Sequence, residues 1–520
     1  MKKESIVKLS LPLIFQDRMV LQREKPVRIW GETNASHVSV TLSGKSGIIE
    51  QKPVQVCAGR FTCELPAQPA GTGFELVVSA GDGNDDDSAR ILLQDISFGD
   101  IWLACGQSNM EYFLRYDAHW NDIKKEPVNP DIHMYNVPQI AYEGQQRDLP
   151  DSGRWFVAGD PAWAVFSAPG YCFAQVIQPE TGVPTGVIGC NWGGTSAVAW
   201  MREEDLNKEP FNVYLKEYED AIKDIDPDVL REESMKGWAF EESYSHALEW
   251  RTMMYGLTRE EQIEWMEHHA QDPVLPLGPY HHYRPSGLYH TMLETIAPLS
   301  VKGVLWYQGE SDNAHADIYD QLMAALVRCF RETFEDEDLP FLYVQLAPYQ
   351  QWLDDTGENY PAMRLVQDRA SHLIDNAYMT SIMDLGDRYD IHPKFKREVG
   401  QRLALLALGK VYGRDILCEA LEISDAAWDA DGQSIRISLH HAEGGLTLGN
   451  GVTELFAISQ AGRALTVSAV RADGESLVVT LEKTAPTEGK VRIEFAMEPY
   501  CEVQIWNQAG LPLKSFVYEF

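Results

Sequence analysis

The sequence predicts an α/β domain built on a parallel sheet, with a β-sandwich domain on either side. Three observations favour this class. Residues up to about 95 form short β-type runs, residues from about 96 alternate strands with helices, and residues from about 420 return to β-type runs. Strands that alternate with helices are typical of a parallel sheet covered on both faces. The predicted domains are therefore 1–95, 96–418 and 419–520.

The N-terminal region alternates apolar and polar residues within short runs that glycine- and aspartate-rich turns separate. A period of two buries one face of a strand, so we expect strands at 27–30, 38–42 and 74–78. Several short strands separated by turn residues are typical of a β-sandwich. The C-terminal region has the same pattern, with strands predicted at 435–439, 477–481 and 491–495.

The central region alternates short apolar runs with longer amphipathic segments. Apolar runs bounded by turn residues predict buried strands, and apolar residues at helical spacing predict helices. The predicted strands are 101–105, 183–190, 303–307, 341–346 and 378–384. The predicted helices are 318–334, 363–374 and 395–412.

Residues 203–283 interrupt this alternation with an acidic, helix-prone segment, which predicts a helical insertion in the α/β domain. Its tryptophans, Trp238, Trp250 and Trp265, are interpreted as core residues of helices and not as platforms for sugar rings. The insertion is a candidate for a lid or for a contact between subunits of a homo-oligomer.

Charge and composition limit the partners of the chain. The 520 residues carry a formal net charge of −34, which repels phosphate backbones and anionic lipid, so we expect neither nucleic-acid nor membrane partners. Residues 1–8 do not have the pattern of a secretion signal. The eight cysteines include no Cys-x-x-Cys pair. Buried free thiols in a reducing compartment are the expected state, so a cytoplasmic location is predicted.

The most informative motif is GQSNM at 106–110, directly after the apolar run 101–105. Its serine, Ser108, is predicted at the junction between a buried strand and a helix. At such a junction a hydroxyl can point out of the sheet, with backbone N–H groups beside it. Serine alone is a poor nucleophile, so the interpretation depends on partners elsewhere in the chain.

A base is available at His392, within DRYDIHP at 387–393. The histidine follows the predicted strand 378–384 and precedes the predicted helix 395–412. This places it in a loop at the carboxyl end of a sheet strand, where α/β enzymes keep their sites. The upstream carboxylates, Asp387 and Asp390, are available to orient its second ring nitrogen.

Two further loops offer hydrogen-bond donors. NWGGTS at 191–196 follows the predicted strand 183–190, and its glycines let backbone N–H groups approach a ligand closely. WYQGESD at 306–312 follows the next predicted strand. The amide of Gln308 can donate to an oxyanion, while Glu310 can accept from a sugar hydroxyl or from a neighbouring side chain.

In this order, the four motifs resemble those of sialate O-acetylesterases and related carbohydrate acetylesterases of the SGNH hydrolase superfamily. The opening runs 13–15 and 19–23 are similar to the first strands of that family. The resemblance spans most of the chain. It implies a flavodoxin-like parallel sheet flanked by β-sandwich domains, and a serine esterase that removes O-acetyl groups from sugars without a cofactor.

The resemblance also implies the site residues. Ser108 would be the nucleophile, His392 the general base and Asp390 the acid behind it. The backbone N–H groups of Ser108 and Gly194 and the side-chain amide of Gln308 would form the oxyanion hole. The residues implied to contact the substrate are Gln107, Asn109 and Glu310.

One position departs from the superfamily pattern, which has its aspartate three residues before the histidine. This chain has Tyr389 there. Asp390 is the nearest acid and Asp387 competes with it. A dyad, in which a backbone carbonyl orients the imidazole, is the third alternative.

Two other functions compete with this one. A metal site could draw on the histidines at 268–269, 281–282 and 392, but adjacent histidines point in different directions and no zinc-binding spacing is present. A non-catalytic carbohydrate-binding protein could use its β domains and aromatic residues to stack on sugars.

The substrate stays open between two classes of acetylated sugar. Acetylated sialic acid needs a partner for its carboxylate, and Arg284 and Arg364 are the candidates. Short acetylated oligosaccharides of the xylan or mannan type suit an acidic chain without a secretion signal equally well.

Overall fold

The computed structural model describes residues 6–81, 88–247, 249–353, 355–483 and 489–520. These residues divide into two compact units. Unit 1 is Met1–Ala247, Pro273–Leu305 and Leu326–Pro340, and unit 2 is Leu248–Asp272, Trp306–Ala325 and Phe341–Phe520.

Unit 1 opens with eight strands among its described residues. They are β1 (Leu9–Ser10), β2 (Val20–Gln22), β3 (Val27–Thr33), β4 (His37–Gly44), β5 (Gly47–Gln55), β6 (Arg60–Leu65), β7 (Gly71–Gly81) and β8 (Ser88–Gly106). Strands β1, β3 and β6 form an antiparallel sheet, while β5, β4, β7 and β8 pair antiparallel in that order. Buried and exposed residues alternate along β6, as a period of two requires. The three strands predicted in this region are confirmed.

The strand β8 continues through position 95, where the sequence suggested a domain boundary. It is 19 residues long, and its second half is buried throughout. The first half pairs antiparallel with β7, whereas the second half pairs parallel with a later strand. The sheet is therefore mixed and not purely parallel, because one long strand serves both arrangements.

The rest of the sheet in unit 1 follows the predicted strand–helix alternation. Its elements are α1 (Ser108–Glu111), α2 (Trp120–Ile123), β9 (Ile132–Asn136), β10 (Trp155–Phe156), α3 (Ala168–Thr181) and β11 (Thr185–Asn191). Strand β11 lies between β9 and β8 and is parallel to both, while β10 closes the edge antiparallel to β9. Because Asn191 is in register with Gly106, the loops after β8 and β11 leave the sheet side by side.

The insertion is helical, as predicted. Unit 1 holds α4 (Glu203–Leu206), α5 (Asn212–Ile222) and α6 (Pro227–Ala247), and unit 2 holds α7 (Glu249–Gly256) and α8 (Arg259–His268). Trp238 is buried, and its indole N–H donates to the Tyr280 carbonyl. Trp250 is 41% exposed, so its assignment to the core was wrong. Its ring packs edge-to-face against the ring of Trp265, which is a favoured geometry for an aromatic pair.

The remaining α/β elements match their predicted positions. They are β12 (Gly303–Tyr307), α9 (Tyr319–Thr333), β13 (Phe341–Val344), α10 (Tyr360–Leu373), β14 (Ala377–Thr380) and α11 (Lys396–Leu406). Strands β13 and β14 are parallel. Strand β14 ends at Thr380 and not at the predicted position 384, so the loop that carries His392 is longer than expected.

The C-terminal part of unit 2 contains two four-stranded antiparallel sheets. Its strands are β15 (Glu422–Trp428), β16 (Ser434–His440), β17 (Thr447–Leu448), β18 (Phe456–Gln460), β19 (Arg463–Leu465), β20 (Val467–Asp473), β21 (Ser476–Leu481), β22 (Val491–Phe495), β23 (Ile505–Trp506) and β24 (Phe516–Glu519). The sheets have the orders β15-β16-β21-β20 and β19-β18-β22-β24. Buried apolar residues of both sheets form one core, as in a sandwich.

All eight cysteines fall within the described residues, and none forms a disulfide bond. Among the described helices, none combines the length and the apolar character that crossing a bilayer requires.

Candidate active site

Ser108 lies at the junction that the sequence predicts. Strand β8 ends at Gly106, and Ser108 is the first residue of α1. Its carbonyl accepts the N–H of Tyr112, and the residue is 5% exposed. The neighbours in the motif, Gln107 and Asn109, are also buried. The reversal from strand to helix therefore presents the serine on a compact, largely enclosed turn.

Glu111 ties this turn to the next loop of the sheet. One oxygen of its buried carboxylate accepts the backbone N–H of Gly193 at 2.7 Å. The other accepts the side-chain amide of Gln139 at 3.2 Å, and the same amide donates to the Asn191 carbonyl at 3.0 Å. Sequence reasoning missed Glu111 and Gln139. The signal that could have found Glu111 is its position three residues after Ser108, because side chains three residues apart lie on the same face of a helix.

Gly193 and Gly194 differ in what surrounds them. The N–H of Gly193 is used by Glu111, which leaves the neighbouring glycine as the predicted oxyanion donor. Gly194 has φ of +73°, and a β-carbon there would lie 1.9 Å from the hydroxyl oxygen of Tyr283. Only glycine fits both the left-handed backbone and the close ring. Tyr283 is 43% exposed, so it brings an accessible aromatic side chain to this loop.

A stack of rings supports the same loop. Trp192 stacks on His282 with centroids 4.5 Å apart, and His282 stacks on His281 at 4.6 Å. The guanidinium of Arg147 lies 5.5 Å from the centre of the Trp192 ring. Burial lowers the pKa of His281 to about 4, so its ring is neutral at physiological pH. Its Nδ1 then accepts the N–H of Tyr283 at 2.9 Å.

In unit 2, Gln308 follows β12 and is fully buried. Its side-chain nitrogen donates to Asp312 at 2.5 Å, and its side-chain oxygen accepts the hydroxyl of Tyr319 at 3.0 Å. The oxyanion role of Gln308 stays a prediction. Glu310, also buried, begins the 3-10 helix Glu310–Ile318.

His392 is 1% exposed and lies in the loop between β14 and α11. Its Nδ1 is 3.6 Å from Oδ1 of Asp390, and that oxygen also accepts the backbone N–H of His392 at 2.8 Å. Asp387 instead accepts the backbone N–H groups of Tyr389 and Asp390, at 2.8 and 3.2 Å. Asp387 therefore shapes the turn, whereas Asp390 is the carboxylate beside the imidazole.

The two units thus divide the predicted site residues between them. Unit 1 contains Gln107, Ser108, Asn109 and Gly194, and unit 2 contains Gln308, Glu310, Asp390 and His392.

The motifs lie in a region that a protein-family model matches. The family is described as carbohydrate esterase, sialic acid-specific acetylesterase, and its model matches residues 98–237 and 264–408. The chain belongs to this family. Membership makes it a carbohydrate O-acetylesterase, as the motifs predicted.

Individual relatives agree with this assignment. The sialate O-acetylesterases of Rattus norvegicus and Homo sapiens are each 26% identical to the chain, over 425 and 428 residues. The alignments cover 76% of this chain and 72% and 69% of the relatives. The crystal structure of a carbohydrate acetylesterase from Xanthomonas citri matches with a TM-score of 0.73 and 26% identity, covering 98% of this chain and 99% of that one.

In this carbohydrate esterase, the two arginines predicted as partners for a substrate carboxylate differ in burial and in hydrogen bonding. Arg364 is fully buried, and its guanidinium donates to the carbonyls of Ala496, Glu498 and Pro499. It holds a loop of unit 2, so its assignment as a substrate anchor was wrong. Burial lowers its pKa to about 10. Arg284 is half-buried, and its Nε approaches the Ala141 carbonyl at 3.5 Å.

One cluster of metal-ligand type occurs among the described residues of the esterase. It comprises Asp368, His372 and Glu422. The ammonium group of Lys514 donates to both carboxylates of this cluster. A cation of the chain thus pairs with both carboxylates of the cluster. The histidines predicted as possible metal ligands are used in other ways, since His269 stacks on Trp265 and His282 on Trp192.

Proposed function

We propose that the chain removes O-acetyl groups from sugars by acyl transfer to Ser108, with His392 as the general base. Family membership supports the reaction, and the position of Ser108 at the end of β8 is the observation that carries the mechanism. The SGNH assignment of the α/β domain is part of the same proposal.

In the first step, Nε2 of His392 takes the proton of the Ser108 hydroxyl while the oxygen attacks the acetyl carbonyl. The negative charge that develops on the carbonyl oxygen is bound by the N–H groups of Ser108 and Gly194 and by the amide of Gln308. The carbon–oxygen bond to the sugar breaks, and the imidazolium returns its proton to the departing sugar hydroxyl.

In the second step, His392 takes a proton from water as the water attacks the acetyl-serine. Acetic acid leaves, and Ser108 regains its proton. Asp390 stabilises the imidazolium in both steps, since its carboxylate is the one beside the ring. The cycle consumes one water and releases the sugar alcohol and acetic acid, and its proton transfers use only His392, Ser108 and water.

The substrate is an acetylated sugar of one of two classes. The matched relatives are sialate O-acetylesterases, which favours acetylated sialic acid. The net charge of −34 opposes an anionic substrate and favours neutral acetylated oligosaccharides. A panel of acetylated sialic acids and acetylated xylo- and manno-oligosaccharides, assayed for acetate release, separates the two.

The serine mechanism is tested with Ser108→Ala and His392→Ala. We expect each to lower kcat by at least about a thousandfold on p-nitrophenyl acetate and on the best sugar of the panel. Ser468→Ala, which changes an exposed serine in β20, serves as the matched control and retains activity. Full activity in Ser108→Ala would refute the mechanism.

A further inference from the structure

Two aromatic rings flank the imidazole of His392 within unit 2. The ring of Tyr255, from α7, has its centroid 5.2 Å from the imidazole at an interplanar angle of 81°. The ring of Trp352 lies at 5.3 Å and 86°. Both are edge-to-face arrangements, which are the favoured geometry for aromatic pairs. The imidazole therefore contacts two aromatic rings, each nearly perpendicular to it.

The two rings are themselves connected through α8. The indole N–H of Trp352 donates to the side-chain oxygen of Gln262 at 3.1 Å. The side-chain nitrogen of Gln262 donates to the Met253 carbonyl at 3.1 Å, two residues before Tyr255. Gln262 is buried, so breaking a hydrogen bond of its side-chain amide would leave a polar group unsatisfied away from water, which is costly. One glutamine thus bonds to Trp352 and to the backbone of α7, the helix that carries Tyr255.

A third contact joins the same helices to the histidine loop. The guanidinium of Arg259, the first residue of α8, lies 4.8 Å from the ring centre of Tyr389. Tyr389 stands three residues before His392, where the superfamily pattern has its aspartate. The pair α7–α8 therefore contacts the loop at Tyr389 as well as at His392.

The carboxylate of Asp390 lies beside the same imidazole. Its Oδ1 lies 3.6 Å from Nδ1 of His392, which is beyond hydrogen-bond range. A general base is effective only when one nitrogen points at the proton that it takes. Two rings packed within 5.3 Å of the imidazole limit the space in which it can turn about its Cβ–Cγ bond.

We propose that Tyr255 and Trp352 are positioning residues that hold the imidazole of His392 in its reactive orientation. The inference rests on the proposed role of His392 as the base. The family model matches residues 98–237 and 264–408, so Tyr255 and Gln262 lie in the stretch that it leaves out. Part of the insertion thereby acts as a scaffold for the catalytic base of this chain.

The test compares Tyr255→Leu with Tyr255→Phe. The leucine variant removes the ring, and we expect kcat for acetate release to fall about tenfold or more while KM changes less than about twofold. The phenylalanine variant keeps the ring and retains kcat within about twofold, because the proposal assigns the role to the ring. Trp250→Leu, an exposed position on the same helix, is the matched control and retains kcat.

A second variant covers the case in which Tyr255→Leu unfolds, as judged by circular dichroism. Gln262→Leu removes the hydrogen bond to Trp352 without changing either ring, and we expect kcat to fall severalfold at constant KM. Unchanged kcat in Tyr255→Leu, or in Gln262→Leu when the first variant is unfolded, overturns the inference. An equal loss in Tyr255→Phe also overturns it, since the hydroxyl and not the ring would then matter.

These outcomes are separate from failure of the proposed function. If Ser108→Ala or His392→Ala remains active, the serine mechanism is wrong whatever Tyr255 does. If both are inactive while Tyr255→Leu keeps its kcat, only the positioning role is wrong.

Discussion

At the scale of single residues, the chemistry depends on which atoms surround each polar side chain. Asp387 and Asp390 are equivalent in the sequence, since either could stand behind His392. In the structure, Asp387 accepts two backbone N–H groups of its own turn, while Asp390 has an oxygen 3.6 Å from the imidazole. Their different surroundings predict different effects of the same substitution.

We expect Asp390→Asn to lower kcat by about tenfold or more, because a neutral amide stabilises the imidazolium less well than a carboxylate beside the ring. Asp387→Asn keeps an oxygen that can accept the same backbone N–H groups, so its kcat stays within about threefold of the parent. Steady-state kinetics on p-nitrophenyl acetate measure both. A reversed order of the two effects would assign the role to Asp387, and two small effects would favour the dyad.

At the scale of elements, charged side chains join segments that are distant in the sequence. Glu111 connects the turn after β8 with the loop after β11 through the N–H of Gly193. His290 likewise joins two segments of unit 1, since its Nδ1 lies 2.7 Å from Glu294 and its Nε2 lies 2.9 Å from Glu203 of α4. An imidazolium can donate from both nitrogens, so this contact is strongest when His290 is protonated.

The contact at His290 predicts a pH-dependent contribution to stability. Desolvation lowers the pKa of His290, but the hydrogen bonds to Glu203 and Glu294 outweigh it, so the pKa lies above the usual 6.5. A raised folded-state pKa stabilises the fold fully below the unfolded value, and this stabilisation is lost as pH rises through the folded value. The side chain is 42% exposed, so solvent screening reduces the effect to about 0.5 kcal/mol.

Urea unfolding of the parent and of His290→Gln tests this at about pH 6 and about pH 9. We expect the difference in unfolding free energy between the two proteins to be larger at the lower pH. His37→Gln, which changes an exposed histidine of β4, is measured in parallel as the control substitution. A difference that grows as pH rises would contradict the assignment.

At the scale of the whole molecule, the net charge of −34 means that acidic side chains outnumber basic ones. Basic side chains that lie between carboxylates therefore matter for the stability of the fold. Lys514 is the clearest case, since its ammonium group lies between Asp368 of α10 and Glu422 of β15. Burial raises the pKa of the Glu422 carboxyl, but Lys514 outweighs burial, and the pKa is lowered. The lysine thus connects the α/β part of unit 2 with its C-terminal sheets.

Lys514→Met is expected to lower the unfolding free energy by about 3 kcal/mol, because two carboxylates would then face each other without a cation. Thermal and urea unfolding measure the change. Adding Asp368→Asn and Glu422→Gln removes the repulsion and should recover part of the loss. An unchanged melting temperature in Lys514→Met would mean that the network contributes little.

Much of the architecture was predictable because its cause is local. Period-two alternation located three strands in each terminal region, and short apolar runs located β11, β12 and β13. Ser108 at a strand–helix junction was predicted from GQSNM after an apolar run. The four motifs, taken in order, also led to the family. These signals come from neighbouring residues, so they can be recognised in the sequence without the structure.

Other features depend on contacts between distant segments. No local pattern shows that β8 continues from an antiparallel to a parallel pairing, that Arg364 is buried against the carbonyls near residue 498, or that Trp250 faces solvent. The same is true of Glu111 against Gly193 and of Tyr255 against His392.

The sequence by itself determined the type of the elements with a clear period, the order of the four motifs and therefore the class of reaction. Only the tertiary structure decided which acid lies beside His392, which glycine donates its N–H to Glu111 and which rings contact the imidazole. The physical reason is that backbone periodicity and turn chemistry act over a few residues. Hydrogen bonds and ring packing depend instead on where the fold brings residues tens or hundreds of positions apart.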